Sequence, residues 1–321
     1  MAGRLIVSGV SALEYWRVCG GAHVLTEAEI HELPEASRRF CDKTQARCCA
    51  FLQAYMLHAP LELAVSSMGE RRSSGAARFR HFKTLPEPGD LFDAGDYFFV
   101  CKPELAILQC AFRSTIVELN LLMGEFCGTY LLSPGDSRGF VSTSTPLASM
   151  DSISELLSRS PQQVRCARRK QQTAFASAAP ASNSPMESKI AAFFSLPREV
   201  GGLAVPGIQL NKRIELKGPS RQILNHDEIR PDFYFPGAVT VGEYKSRQFH
   251  PEGSWTTDDR RIDALEAVGF HSFSLNNERV KRLAEFVGIG QVLMERMGSA
   301  FLRPTKHELE MRSALHAELF L

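Results

Sequence analysis

Residues 230–245 read RPDFYFPGAVTVGEYK, two runs of aromatic and β-branched residues on either side of Pro236-Gly237. Such runs around a turn signal predict a β-hairpin. A two-residue turn at Pro236-Gly237 places Asp232 opposite Val241 and diagonal to Glu243. Side chains alternate along a strand, so the two carboxylates then lie on one face of the hairpin. This prediction depends on the register, because a slip of one residue moves one carboxylate to the other face.

Two carboxylates on one hairpin face predict a site for a divalent metal ion. Magnesium prefers oxygen ligands and keeps several waters, so Asp232 and Glu243 make a suitable protein share of its coordination shell. Lys245 follows Glu243 by two residues and shares its face. Its ammonium group would orient a metal-activated water or stabilise negative charge that develops on a phosphate.

A helix beginning near Ser184 precedes the hairpin and brings Glu187 to the head of its apolar face. From there the side chain of Glu187 would point toward a site between the helix and the sheet. The pair Ser184 and Glu187 also matches the S-x-x-E capping box, in which the glutamate only satisfies the helix start. Both interpretations stay open with equal weight.

A second helix is predicted over residues 257–268, with Asp258 and Arg261 extending its apolar stripe toward the N-terminus. Charged residues at the end of a buried stripe indicate either a site or an ion pair at the helix start. Residues 270–275 then have the composition of a strand. The order helix, hairpin, helix, strand predicts an α/β core in which a sheet is flanked by helices.

At 321 residues the chain has the length of about two domains. Residues 158–185 are rich in serine, alanine and basic residues, and this composition predicts a linker. We therefore expect a smaller mixed α/β domain of unknown role over residues 1–157, a second mixed domain over residues 186–290 and a helical tail over residues 291–321.

The net charge of +1 excludes a strongly basic nucleic-acid coat protein and leaves room only for a local basic groove. Residues 71–83 alternate basic and aromatic side chains in part, so a strand here would have one largely basic face. Solvated arginines on a half-buried strand are the first interpretation, and phosphate contacts are the second. No apolar run approaches the ~20 residues of a membrane span, and the apolar part of the N-terminus is too short for a secretory signal. A cytoplasmic protein without a membrane partner is expected.

Several short motifs of the C-terminal part occur in a characteristic order. They are Pro185-Met186-Glu187-Ser188-Lys189, Arg230-Pro231-Asp232-Phe233, Gly242-Glu243-Tyr244-Lys245, His250, Asp258-Asp259-Arg260-Arg261, Leu265 and Gly269. With these motifs about a third of the chain resembles the very-short-patch-repair-like branch of the PD-(D/E)XK nuclease superfamily. Many members of that branch carry an aspartate at the position of Lys245, so this chain is closer there to the general nuclease pattern.

The resemblance implies a restriction-endonuclease-like mixed sheet flanked by helices, with Mg²⁺ or Mn²⁺ as cofactor and DNA as partner. It implies these roles: Asp232 and Glu243 as metal ligands, Lys245 as the catalytic lysine, Glu187 as the helix glutamate, and His250, Asp258 and Arg261 as neighbours in the catalytic site.

The N-terminal part carries shorter motifs, namely Ser11-Ala12-Leu13, Arg80-His81, Leu85-Pro86 and Cys101-Lys102-Pro103-Glu104. With these it resembles a domain of actinobacterial proteins related to AbiEi-type antitoxins. Related proteins usually begin with a winged-helix domain, for which the segment before Ser11 has no room, so sequence-specific repression is not expected.

Three functions follow from these observations. The first is a metal-dependent endonuclease that hydrolyses DNA phosphodiester bonds in defence or repair. The second is a catalytically silent nuclease-fold protein that acts as an AbiEi-type antitoxin or nucleic-acid-binding regulator, with a toxin or other protein as partner. The third is a structural interaction protein whose hairpin carboxylates are merely solvated. No feature of the sequence indicates an oligomeric state.

Overall fold

The computed structural model of the protein describes residues 4–20, 42–65, 67–82, 86–95, 97–159, 165–245 and 255–321. For residues 88, 165 and 255–259 it describes the backbone alone. The chain divides into two units, Met1–Phe175 and Ala176–Leu321. Each unit packs helices on a sheet, so the prediction of a mixed α/β protein is confirmed.

Unit 1 contains a sheet of five short strands with helices packed on it. In chain order its elements are β1 (Leu5–Val7), α1 (Gly9–Cys19), α2 (Asp42–Ala54), β2 (Leu61–Val65), β3 (Ala77–His81), β4 (Leu91–Asp93), β5 (Phe98–Cys101), α3 (Pro103–Cys110), α4 (Ile116–Phe126), β6 (Tyr130–Leu132), β7 (Phe140–Ser142), α5 (Met150–Arg159) and α6 (Arg165–Ser177).

The strand order of the five-stranded sheet is β3-β2-β1-β5-β4. The pairs β1/β5 and β2/β3 are parallel, whereas β1/β2 and β4/β5 are antiparallel. One face of this sheet is apolar and covered: Val7, Leu61, Leu63 and Val100 share it and are fully buried. Trp16 of α1 packs here too, and its indole N–H donates to the carbonyl of Cys101 at 2.8 Å. Strand β3 forms one edge of this sheet and pairs with β2.

Helix α6 lies inside the stretch 158–185, for which the composition predicts a linker. Its face toward unit 1 consists of small or amide side chains: Ala174 is fully buried, and Gln171 donates from Nε2 to the carbonyl of Leu108 at 2.8 Å. Residues 165–177 are thus helix rather than an extended connection. Alanines favour this helix and bury well on it although they contribute little hydrophobicity.

Unit 2 contains a second, four-stranded sheet with helices packed against it. In chain order its elements are α7 (Pro185–Ser195), β8 (Gln209–Leu210), β9 (Ile214–Glu215), α8 (Pro219–Leu224), β10 (Glu228–Ile229), β11 (Phe233–Phe235), β12 (Thr240–Lys245), α9 (Trp255–Ala267), β13 (His271–Asn276), α10 (Asn277–Val280), α11 (Leu283–Arg296) and α12 (Lys306–Phe320).

The strand order of this sheet is β13-β12-β11-β8, with β12/β13 parallel and the other pairs antiparallel. Helix α9 lies between the two parallel strands in sequence, as expected for a crossover connection. An aromatic cluster fills one side of the sheet, with Phe194 of α7 packing edge-on against Phe235 of β11 at 5.5 Å between ring centroids. Leu265 of α9 is buried with Val241 of β12. Sheet and helices therefore hold the hairpin β11/β12 between α7 and α9.

The C-terminal helix α12 begins with a capping box. The Thr305 side chain accepts from the N–H of Glu308, and the Glu308 carboxylate accepts from the N–H of Thr305. Leu315 and Leu319 are buried, and α12 packs against α7 within unit 2. None of the helices in the described part of the chain is long and apolar enough to cross a membrane.

Candidate functional site

The hairpin β11/β12 is formed, but its register differs from the predicted one. Phe233 pairs with Gly242 and Phe235 with Thr240. Residues 236–238 form a 3-10 turn and Val239 follows at φ 45°, so four residues connect the strands instead of two. The predicted register is therefore wrong by two residues. Because two residues is one full period of a strand, the faces are unchanged.

The observed register places Asp232 directly opposite Glu243. Asp232 ends the ladder beside Phe233, and its Oδ2 accepts a 2.6 Å hydrogen bond from the backbone N–H of Tyr244. Burial raises the pKa of Asp232 to about 7, and the carboxylates of Glu243 and Glu187 act in the same direction. The Tyr244 N–H and the guanidinium of Arg261 oppose this rise. Asp232 therefore lies in a cluster with more negative charge than its neighbours balance.

Glu187 of α7 is buried and accepts three hydrogen bonds. Its Oε1 accepts from the Ser184 hydroxyl at 2.9 Å, and its Oε2 accepts from the N–H of Asn183 at 2.9 Å and from Nδ2 of Asn211 at 2.7 Å. The capping box is thus incomplete, because the glutamate reaches the N–H of Asn183 rather than that of Ser184. Burial raises the pKa of Glu187, these hydrogen bonds oppose the rise, and Glu243 adds to it. Glu187 both satisfies the helix start and belongs to the carboxylate cluster.

Arg261 of α9 pairs with Glu243, as Nη2 lies 2.6 Å from Oε1. The guanidinium is about one third exposed and the carboxylate one quarter. The sequence pattern left open an ion pair of Arg261 with Asp258 at the helix start; the partner that the structure provides for Arg261 is Glu243. Helix α9 thus contributes a positive group to the carboxylate cluster.

Of the three other predicted site residues, Lys245 is described in full, Asp258 by its backbone alone, and His250 not at all. Lys245 is half-buried on β12 and shares the face of Glu243 by strand alternation. The backbone of Asp258 lies in α9, one turn before Arg261, but its side chain is not among those described. His250 lies outside the described residues.

Sequence reasoning missed Asn211, which follows β8 and links the strand edge to α7. Its backbone N–H donates to the carbonyl of Asp232 at 3.2 Å, and its Nδ2 donates to Glu187 and, at 2.9 Å, to the carbonyl of Ala181. Its φ of 50° lies in the left-handed region that asparagine tolerates better than most residues. The asparagine itself, directly after Gln209-Leu210, was the local signal for a turn at this position.

Oxygen donors of this kind fit a hard divalent cation such as Mg²⁺. Asp232 and Glu243 face each other, whereas both oxygens of Glu187 are already occupied by donors. Among the described side chains, no group of three or more histidines, cysteines, aspartates or glutamates is arranged to hold a metal ion. The protein share that the described residues offer is therefore a pair of carboxylates, and water or phosphate oxygens would have to complete the shell.

Comparison of the chain with protein-family profiles, with curated proteins and with solved structures found no match.

Proposed function

We propose that unit 2 is a Mg²⁺- or Mn²⁺-dependent endonuclease that hydrolyses DNA phosphodiester bonds. The observation that carries the proposal is the state of Asp232, whose pKa burial and two neighbouring carboxylates raise to about 7. Such a cluster binds protons at neutral pH because ionising it fully is unfavourable. A divalent cation would take the place of those protons, so the electrostatics favour metal binding between Asp232 and Glu243.

The remaining polar groups suit phosphate chemistry. When bound, a divalent cation polarises the scissile phosphate and lowers the pKa of a coordinated water. Lys245 shares the face of Glu243, so its ammonium would stabilise negative charge that develops on the phosphate. Arg261 would supply a second positive group from α9, and its planar guanidinium suits phosphate oxygens. Asn211 and the Tyr244 N–H hold Glu187 and Asp232 in place.

The choice of DNA, and of a role in defence or repair, rests on the resemblance of the motifs around Asp232 and Glu243 to PD-(D/E)XK nucleases. The mixed sheet flanked by helices is compatible with the restriction-endonuclease-like fold that this resemblance implies. The protein would act on DNA in the cytoplasm.

A second function is favoured by the ion pair between Arg261 and Glu243. This pair satisfies one of the two proposed metal ligands without a metal, and Glu187 is satisfied by its three donors. These contacts suit a nuclease-fold protein that does not turn over substrate, because its carboxylates need no metal. Such a protein would act as an AbiEi-type antitoxin or nucleic-acid-binding regulator beside a toxin partner. It would bind nucleic acid and would not cleave it.

A cleavage assay separates the two functions. Single-stranded DNA, duplex DNA and RNA are incubated with the protein in Mg²⁺, in Mn²⁺ or in EDTA. We expect cleavage of DNA that requires metal and is lost in Asp232→Asn, Glu243→Gln and Lys245→Met. The matched controls are Asp263→Asn and Glu266→Gln, which alter exposed carboxylates of α9 and should retain activity.

Equal cleavage by the wild type and by Asp232→Asn would show that the activity comes from elsewhere and would refute the site. Binding of nucleic acid without cleavage in either metal would refute the enzyme and support the silent regulator.

A further inference from the structure

Unit 1 has a basic surface at the edge of its five-stranded sheet. Strand β3 pairs with β2 in parallel, with Arg78 beside Glu62 and Arg80 beside Ala64. On its other side, Ser73 forms an antiparallel bridge with Arg78. The same register places Arg71 opposite Arg80, so Arg71, Arg78 and Arg80 lie on one face.

Among the described side chains, one carboxylate, that of Glu62, forms ion pairs at this surface. Its Oε1 lies 3.0 Å from Nη1 of Arg113 and 2.7 Å from Nε of Arg80, and its Oε2 accepts from the N–H of Val10 at 3.4 Å. Glu62 is only 7% exposed. Burial raises its pKa, while Arg113, the Val10 N–H and Arg78 oppose the rise. Glu62 thus orients guanidiniums from β3 and from the turn that follows α3.

We call Arg71, Arg78, Arg80 and Arg113, together with Glu62, the basic face. Four guanidiniums against one carboxylate leave three positive charges unbalanced within it. The whole chain has a net charge of only +1, so the excess is local. Among the described residues neither Arg71 nor Arg78 forms an ion pair, and Nη2 of Arg80 is buried without a hydrogen-bond partner. Within the described part of unit 1, Glu62 alone balances these four guanidiniums, so most of their charge is left for an external anion.

We propose that the basic face binds the sugar-phosphate backbone of a nucleic acid. Residues two apart on a strand lie about 6.6–6.8 Å from each other and neighbouring strands about 4.8 Å apart, so the arginines form a row of closely spaced donors. A chain of phosphates presents negative charge in a matching series, and guanidinium forks bond phosphate oxygens in pairs. Choosing nucleic acid over other polyanions rests on the proposed function of unit 2. The contacts are to phosphates, so they predict affinity without sequence preference.

Arg72 provides a matched control in the same segment. Its carbonyl accepts from the N–H of Phe79, and in the register of this bridge it lies on the opposite face from Arg71. Its side chain is exposed, as is that of Arg71. Arg72→Gln therefore removes the same charge from the same stretch of chain without touching the basic face.

The test measures binding of the full chain to labelled duplex and single-stranded DNA over a range of salt concentrations. EDTA is present, so metal-dependent cleavage does not occur. We expect Arg71→Gln, Arg78→Gln and Arg113→Gln each to lower the slope of log K against log salt by about 0.9 for duplex DNA. The triple variant should bind at least about tenfold more weakly at about 0.1 M salt. Arg72→Gln should bind within about twofold of the wild type. Thermal unfolding of each variant confirms that it is folded.

Equal affinity and salt slope in the wild type and the folded triple variant would overturn the proposal, as would an equal loss in Arg72→Gln. Binding of anionic vesicles that only the triple variant loses, with DNA binding unchanged, would identify a lipid surface and also overturn it. The proposed function of unit 2 is tested separately from the proposed role of the basic face. Asp232→Asn should bind DNA as the wild type does, and the triple variant should hydrolyse bis(p-nitrophenyl) phosphate, a substrate too small to need the basic face, at the wild-type rate.

Discussion

The Oδ2 atom of Asp232 accepts a 2.6 Å hydrogen bond from the backbone N–H of Tyr244, one residue beyond its cross-strand partner Glu243. This bond favours the ionised carboxylate, yet the pKa of Asp232 is raised to about 7 because burial and the charges of Glu243 and Glu187 outweigh it. The hairpin therefore holds a carboxylate that changes its charge near neutral pH.

The first prediction concerns the pH dependence of stability in Asp232→Asn. The folded state keeps a proton on Asp232 that the unfolded chain releases above about pH 4, so the wild type loses stability as pH rises from about 4 through 7. Asparagine keeps an oxygen for the Tyr244 N–H and does not ionise. The free energy of unfolding of Asp232→Asn minus that of the wild type should therefore increase across this window, as measured by urea unfolding.

Asp263→Asn on the exposed face of α9 is the control and should show no such trend. A difference between Asp232→Asn and the wild type that stays constant from about pH 4 to 7 would mean that the carboxylate is ionised throughout, contrary to its burial among like charges.

The second prediction concerns Arg261→Gln. The guanidinium lies 2.6 Å from Glu243 and lowers the pKa of Asp232, so it competes with any cation at this pair. Its removal should tighten Mg²⁺ binding by about three- to tenfold, a modest factor because the pair is partly exposed. Isothermal titration at low ionic strength measures this, with Arg260→Gln on the exposed side of α9 as control. Weaker binding in Arg261→Gln would instead assign Arg261 to orienting Glu243 for the metal.

The two hairpin strands and the shared face of Asp232 and Glu243 were predictable because alternation and turn residues are local signals. The register was not. Val239 adopts φ 45°, which β-branched residues rarely do, and so nothing in the sequence signals a four-residue connection. The predicted register was wrong by two residues, which is one full period of a strand. The two carboxylates therefore stayed on the same face; an error of one residue would have separated them.

The long-range partners of the site were also beyond sequence reasoning. Strand β8 is two residues long and too short to show alternation. It nevertheless positions the next residue, Asn211, to donate a hydrogen bond to Glu187. The pairing of Arg261 with Glu243 depends on how α9 packs on β12, whereas the helix pattern alone suggested a local partner. Such contacts arise from tertiary packing, which neither periodicity nor spacing encodes.

The third prediction concerns Gly242, which precedes Glu243 on β12 and pairs with Phe273 of β13. A Cβ at Gly242 would lie 2.4 Å from the ring of Phe273. That ring packs against Phe194 and Phe235, so it cannot move without disturbing the aromatic cluster. Gly242→Ala should lower the free energy of unfolding by about 1–3 kcal/mol and weaken Mg²⁺ binding, because Glu243 shifts with the strand.

Gly288 is the matched control, since a Cβ there meets nothing within 4 Å. It lies inside α11 on its exposed side, so Gly288→Ala should raise stability by about 0.5–1 kcal/mol. Urea unfolding compares the two. Equal effects of both substitutions would show that β13 yields freely at Phe273 and that the cluster does not hold the strand.

The last prediction concerns Arg312, a guanidinium that is only 2% exposed on α12. Its Nε and Nη1 are buried without hydrogen-bond partners among the described residues, and burial together with the charge of Arg198 lowers its pKa. The nearby carboxylate of Glu308 already accepts from Nη2 of Arg198 at 2.8 Å. A buried charge without its own partner costs more than it contributes. Arg312→Met should therefore raise the free energy of unfolding by about 1–4 kcal/mol.

Arg198→Met provides the contrast, because it removes the donor to the Glu308 carboxylate and to the carbonyl of Arg303. We expect it to lower stability, and both variants should unfold with the wild-type denaturant slope if the native and unfolded states keep their compactness. A loss of stability in Arg312→Met would mean that the guanidinium is paired in solution with water or a bound anion. Repeating the unfolding in phosphate buffer distinguishes these, since an anion held by Arg312 would stabilise the wild type and leave Arg312→Met unaffected.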